Sequence, residues 1–140
     1  MQNILDINKK LEAQQKIAYS LANTKLNEEQ NRLEELLNTK QSYEDELKTL
    51  VQGKLDFKKI HRCREAIEGM KPLIRNQVIA IHRAEQKLEQ ERIRLNEIMI
   101  DRKTHENLRD KAFDEFKEEQ NHEESKITDE LVSYQYHSKK

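Results

Sequence analysis

Residues 60–98, IHRCREAIEGMKPLIRNQVIAIHRAEQKLEQERIRLNEI, decide the fold. Within them Ile60, Ile67, Ile74, Ile81, Leu88 and Leu95 recur every seven residues without a miss. An α-helix turns once in about 3.6 residues, so this repeat keeps one apolar stripe against one partner along a left-handed supercoil. Between them Cys63, Met70, Gln77, Ala84, Glu91 and Ile98 form a mixed second seam, flanked by Arg, Lys, Glu and Gln. The stretch reads as one strand of a coiled coil, and the rest of the chain must supply or recruit the other.

Composition points the same way. Apolar residues make up 34% of the 140 and charged residues 38%, against roughly 45–50% and about 25% in globular domains. With no Trp, three Phe, two Gly and one Pro, the chain lacks the material for a thick core. Its apolar residues are nevertheless too regular for disorder, which leaves long helices with a narrow buried seam.

Upstream, the apolar positions are Ile4, Ile7, Leu11, Ala18 and Leu21; the register is then expected to slip by one after Ala22 and to settle as Leu26, Leu33, Leu36, Tyr43, Leu47 and Leu50. Glu29 and Lys40 interrupt this seam. Acid-first pairs such as Glu28–Arg32 and Glu44–Lys48 are spaced to support a helix. A first helix is expected over 3–52, some ~75 Å at about 1.5 Å per residue.

Gly53 can take the left-handed conformation that closes a helix, and Asp56 can cap the next one. Gly69 and Pro72 compete as the turn, because proline costs a helix interior about 3 kcal/mol. The heptad phase favours the first site: Ile60 and Ile67 share one register with Ile74 and Ile81, which a chain reversal would not preserve. The turn is therefore expected at 53–56, a second helix at 57–131 with a kink or break near 69–72, and a frayed tail at 132–140, ending in Lys139 and Lys140. Past Ile98 the seam thins to Arg102, His105, Leu108, Ala112 and Phe116, and the later part of the second helix overhangs the first. The fold class is all-α: one long antiparallel two-helix coiled-coil hairpin forming a single elongated domain.

Motifs for chemistry are missing. There is no Gly-rich phosphate loop, nucleophile elbow, His-Glu-x-x-His or paired Cys-x-x-Cys. His61, His82, His105, His122 and His137 are scattered, and His61 and Cys63, two apart, do not share a helix face. A hairpin offers no dry concavity for tuning carboxylates. The expectation is a non-enzymatic protein with no catalytic residues, cofactor or metal. Cys63, alone, is expected as a small buried hydrophobe.

The formal net charge is −1, which argues against a phosphate-neutralising protein. Charge is nevertheless uneven. Lys54 to Arg64 holds five basic residues and one acidic; Asp114 to Glu124 holds six acidic and one Lys. Such blocks are either solvated faces or surfaces for differently charged partners. The basic block lacks the interleaved aromatics of a single-strand binder, so no nucleic acid is expected. No run approaches the ~20 apolar residues of a membrane span, and the start lacks a signal peptide's basic and apolar regions. A cytoplasmic protein is expected.

Two stretches resemble a known family. Ile4-Leu5-Asp6-Ile7-Asn8-Lys9-Lys10-Leu11-Glu12 resembles the opening helix of the flagellar export protein FliJ family. Met99-Ile100-Asp101-Arg102-Lys103-Thr104 and Glu106-Asn107-Leu108-Arg109-Asp110-Lys111-Ala112-Phe113 resemble its C-terminal helix. The resemblance covers nearly the whole chain. It implies an antiparallel coiled-coil stalk at the cytoplasmic base of the flagellum, peripheral to the membrane and monomeric in isolation. Such a stalk would seat in the hexameric export ATPase, promote ring assembly and activity, contact the cytoplasmic domain of the export gate and handle export chaperones. Leu36 and Tyr43 match the family's gate-facing surface, although both also fall on the expected seam. Phe113 and Phe116, large apolar groups amid charges, are candidate ring anchors. Two other readings are a self-associating structural coiled coil and the equivalent stalk of a non-flagellar type III secretion system.

Overall fold

In the computed structural model the chain forms two helices, α1 (Gln2–Gln52) and α2 (Phe57–Ser138), packed against each other as an all-α hairpin. The structure describes residues 2–138, with side chains from Asn3 to Tyr136; Lys139 and Lys140 lie outside the described residues. Contacts cluster into two units, Ala13–Asn96 and Met1–Glu12 with Glu97–Lys140.

In the Ala13–Asn96 unit the ridge of α2 is the buried face. Ile60, Cys63, Met70, Gln77 and Ala84 are buried, and Ile67, Ile74, Ile81, Leu88, Glu91 and Leu95 are partly so. Burying an aliphatic side chain fully is worth about 1.5–3 kcal/mol, so the repeat supplies the main apolar force for pairing.

The matching face of α1 differs from expectation. Its main series of covered positions is Gln15, Tyr19, Ala22, Leu26, Glu29, Leu33, Leu36, Lys40, Tyr43, Leu47 and Leu50, in unbroken three–four alternation, with Ala18, expected in the seam, and Glu44 partly covered beside it. No slip follows Ala22. Ile17 and Leu21 are exposed, because Gln15 and Glu29 hold the seam positions and find partners across it. Gln77 Nε2 donates to the Glu29 carbonyl (2.8 Å) and carboxylate (2.7 Å). Gln15 Nε2 donates to the Glu91 carbonyl (3.1 Å) and to its carboxylate. Each acid is also held from one turn earlier, by Lys25 (3.0 Å) and Lys87 (2.7 Å) respectively. Hydrogen bonds from Lys25 and then Gln77 keep the Glu29 carboxyl below its ordinary range, and Lys87 and Gln15 do the same for Glu91.

The two layers are one motif used twice. Residues 15–33 align without a gap on 77–95, with Gln15/Gln77, Ile17/Ile79, Ala18/Ala80, Ala22/Ala84, Lys25/Lys87, Leu26/Leu88, Glu29/Glu91, Arg32/Arg94 and Leu33/Leu95 identical. The register set by the cross-helix bonds places Ala22 opposite Ala84, both buried.

The chain reverses through Gly53–Asp56, between the two helices. Asp56 caps α2: its Oδ1 accepts from the Lys59 N–H at 3.3 Å, and its carbonyl accepts from Ile60 N at 3.0 Å. The left-handed glycine is absent, since no described residue has positive φ. Nor does α2 break at Gly69–Pro72. Met70 is buried and Ile74 partly buried on the seam while Pro72 is exposed, so the packed face carries the helix past a ring on the solvent side. Glu44 pairs back to Lys40 at 3.7 Å rather than forward to Lys48.

In the second unit, Leu5 is fully buried and Asn8 and Glu12 lie on the covered face of α1. Arg102 Nε is 2.7 Å from Glu12 Oε2, close enough to pair although its N–H is not aimed at the oxygen, and Nη1 reaches Glu106 at 3.1 Å. Asn8 Nδ2 and His105 Nδ1 meet at 3.0 Å. Ile4, Ile7 and Leu11, expected in the seam, are exposed. Leu108 and Ala112 are exposed too, and every described side chain from Asp110 to Tyr136 faces solvent. Helix α2 continues through the expected tail, past 131 to Ser138.

Two tests follow from these contacts. Asp56→Ala should cost about 1 kcal/mol of unfolding free energy in urea titrations through the lost cap. Gln77→Leu alone should lower the urea midpoint, because it leaves the Glu29 carboxylate without its cross-helix donor. Adding Glu29→Leu should recover that loss, since an apolar pair can replace a polar one but half a pair cannot. A double variant weaker than the single would show the layer to be merely additive.

Candidate protein-interaction site

A seam this narrow leaves the function-bearing groups outside. Among the described residues no three His, Cys, Asp or Glu side chains converge as a metal site. No helix of the described chain is long and apolar enough to cross a membrane. The concavities are open grooves, such as one lined by Tyr43, Glu46, Leu50, Lys59, Arg62 and Cys63.

Cys63 belongs to the interior. It is buried, its Sγ donates to the Tyr43 carbonyl at 3.0 Å, and burial pushes its thiol above the ordinary range, with Glu46 adding to the shift. A thiol so held is a poor nucleophile.

The four candidate residues divide in two. Leu36 and Tyr43 sit in the seam of α1, both partly buried. Phe113 and Phe116 are 63% and 56% exposed. They begin a stripe, Phe113, Phe116, Gln120, Ile127, Leu131 and Tyr134, that falls within about 60° of helix circumference at 100° per residue. Its apolar members are all exposed, and acidic residues dominate around it. The four residues are thus not one site: two are edges of the core and two open a separate ridge.

Reading the seam from apolar residues alone missed part of the surface. Ile4, Ile7 and Leu11 add exposed apolar area to the unit that carries Phe113 and Phe116. The signal was present one position away: Leu5, Glu12, Tyr19, Leu26, Leu33, Lys40 and Leu47 recur every seven residues. Polar members at Glu12 and Lys40 disguised it.

Truncation separates the two groups. Leu36→Ala and Tyr43→Ala should each lower unfolding free energy by about 1–3 kcal/mol, as expected for part-buried core positions. Phe113→Ala and Phe116→Ala should stay within about 0.5 kcal/mol, measured in urea by circular dichroism.

Compared with models of known protein families, the whole chain, residues 1–140, matches the one described as "Flagellar FliJ protein". No curated protein and no solved structure matches.

Proposed function

The chain belongs to the flagellar FliJ protein family, and on that footing we propose that it is a non-enzymatic coiled-coil adaptor of flagellar protein export. Its partners on this reading are the hexameric export ATPase, the cytoplasmic domain of the export gate and the export chaperones. It works in the cytoplasm, at the membrane-proximal base of the flagellum, as a monomer when isolated.

One observation supports this most: an exposed ridge on a helix, with none of the described residues packed over it. The stripe from Phe113 to Tyr134 lies in the stretch of α2 where every described side chain is open to solvent. Aromatic and aliphatic groups spaced three and four apart form the face that enters a groove or lumen, and aromatic residues concentrate binding energy at interfaces. The surrounding Asp114, Glu115, Glu118, Glu119, Glu123 and Glu124 select a partner with a basic rim. Promotion of ring assembly follows if one ridge contacts more than one ATPase subunit. The partial exposure of Leu36 and Tyr43 suits contact with the export gate, where they would serve as both core and surface.

The double substitution Phe113→Ala with Phe116→Ala tests this reading. Stimulation of the flagellar export ATPase by the variant should fall at least about tenfold, the scale of one anchor contact of 1.4 kcal/mol. Helix content by circular dichroism should stay at the parent value. Full stimulation by a helical variant would remove the ridge from the mechanism.

A further inference from the structure

The Ala13–Asn96 unit carries a second exposed feature that the ATPase reading does not use. At the chain reversal Val51, Leu55 and Phe57 are exposed, Phe57 by 74%. Lys54, Lys58, Lys59, Arg62 and Arg64 surround them. Elsewhere in this unit Lys25, Lys87 and Arg92 hold carboxylates at 2.5–3.0 Å. None of the five cations at the turn has an ion-pair partner among the described residues. The one acid in the segment, Asp56, turns its carboxylate to the Lys59 N–H as the cap of α2.

We propose that this turn docks on an anionic phospholipid bilayer, its apolar side chains entering the interface and its cations resting among the headgroups. A bilayer surface asks for this combination of exposed apolar groups at a protruding turn and basic groups just behind them. Arg64, the farthest of the five, lies seven residues beyond Phe57, about 10 Å along the helix. That is close to one Debye length at physiological salt. All five therefore feel a surface that Phe57 touches. A nucleic acid would want several stacking aromatics, and the segment has Phe57 alone.

Flotation of the full chain with vesicles tests the proposal without the ATPase, so it succeeds or fails independently of the stalk reading. The chain should bind vesicles of phosphatidylcholine with a quarter phosphatidylglycerol, ignore phosphatidylcholine alone, and release at high salt. Each cation near such a surface is worth about fivefold in partitioning. The triple variant Lys54→Glu, Lys58→Glu, Lys59→Glu should therefore bind at least about a hundredfold more weakly. The milder Lys→Gln triple should give the same direction, both with helix content unchanged. In Phe57→Trp, indole emission should shift to the blue on binding. Absence of vesicle binding, undiminished binding by both triples, or an unshifted indole would overturn the proposal. So would tighter binding to single-stranded DNA or to an acidic polypeptide than to the vesicles.

Discussion

Two polar layers inside the Ala13–Asn96 unit govern how its helices meet. In each, a glutamine of one helix donates to both the carbonyl and the carboxylate of a glutamate on the other, and a lysine one turn back holds the same acid. Apolar heptads alone tolerate sliding by whole repeats and pairing in either direction. The polar layers do not. Sliding by one heptad would leave both glutamines and both glutamates in a narrow apolar seam without their partners, at the desolvation cost of unpaired buried groups. Parallel pairing of the two repeats would set Gln15 beside Gln77 and Glu29 beside Glu91, bringing like charges together. Only the antiparallel arrangement gives every glutamine a glutamate.

The same repetition carries a second consequence. Because 15–33 and 77–95 hold the same key residues, each segment is complementary to itself when reversed, and the helices of separate copies could form the same layers. What favours the hairpin is the link between α1 and α2. Four residues, Gly53–Asp56, join them, and a short link gives the second helix an effective concentration in the millimolar range. The link thereby favours pairing within one chain over pairing between chains.

How far the fold could be read from the residues depended on what filled the seam. On α2 the six Ile and Leu positions announced the packed face, and the structure covers all six, Ile60 most fully. On α1 the N-terminal half was misassigned because Asn8, Glu12, Gln15 and Glu29 occupy seam positions that a hydrophobic pattern would reserve for apolar residues. Their partners, His105, Arg102, Glu91 and Gln77, lie far away in sequence, so nothing local marks them as covered. Pro72 misled for a related reason. Its cost is local and visible, whereas the seam contacts of Met70 and Ile74 that outweigh it are set by the other helix. Asp56 was legible because a cap depends on residues three and four positions away. The candidate site divided along the same line: Leu36 and Tyr43 belonged to the seam that the heptads described, while Phe113 and Phe116 stood out as large apolar groups amid charges.

That last contrast bears on what the C-terminal part of α2 is for. The covered face of α2 runs through Leu95, Arg102 and Arg109 at seven-residue intervals. Phe116 lies seven residues on from Arg109, and Phe113 seven on from the partly covered Glu106, so the exposed stripe that ends at Tyr134 continues the same series. An exposed helix with one apolar face is held in water mainly by propensity, and helices gain most of their stability by packing such a face. The stripe thus has the form of half an interface: it prolongs the packed series of α2 along a stretch whose described side chains are all exposed, as a surface for a different molecule requires.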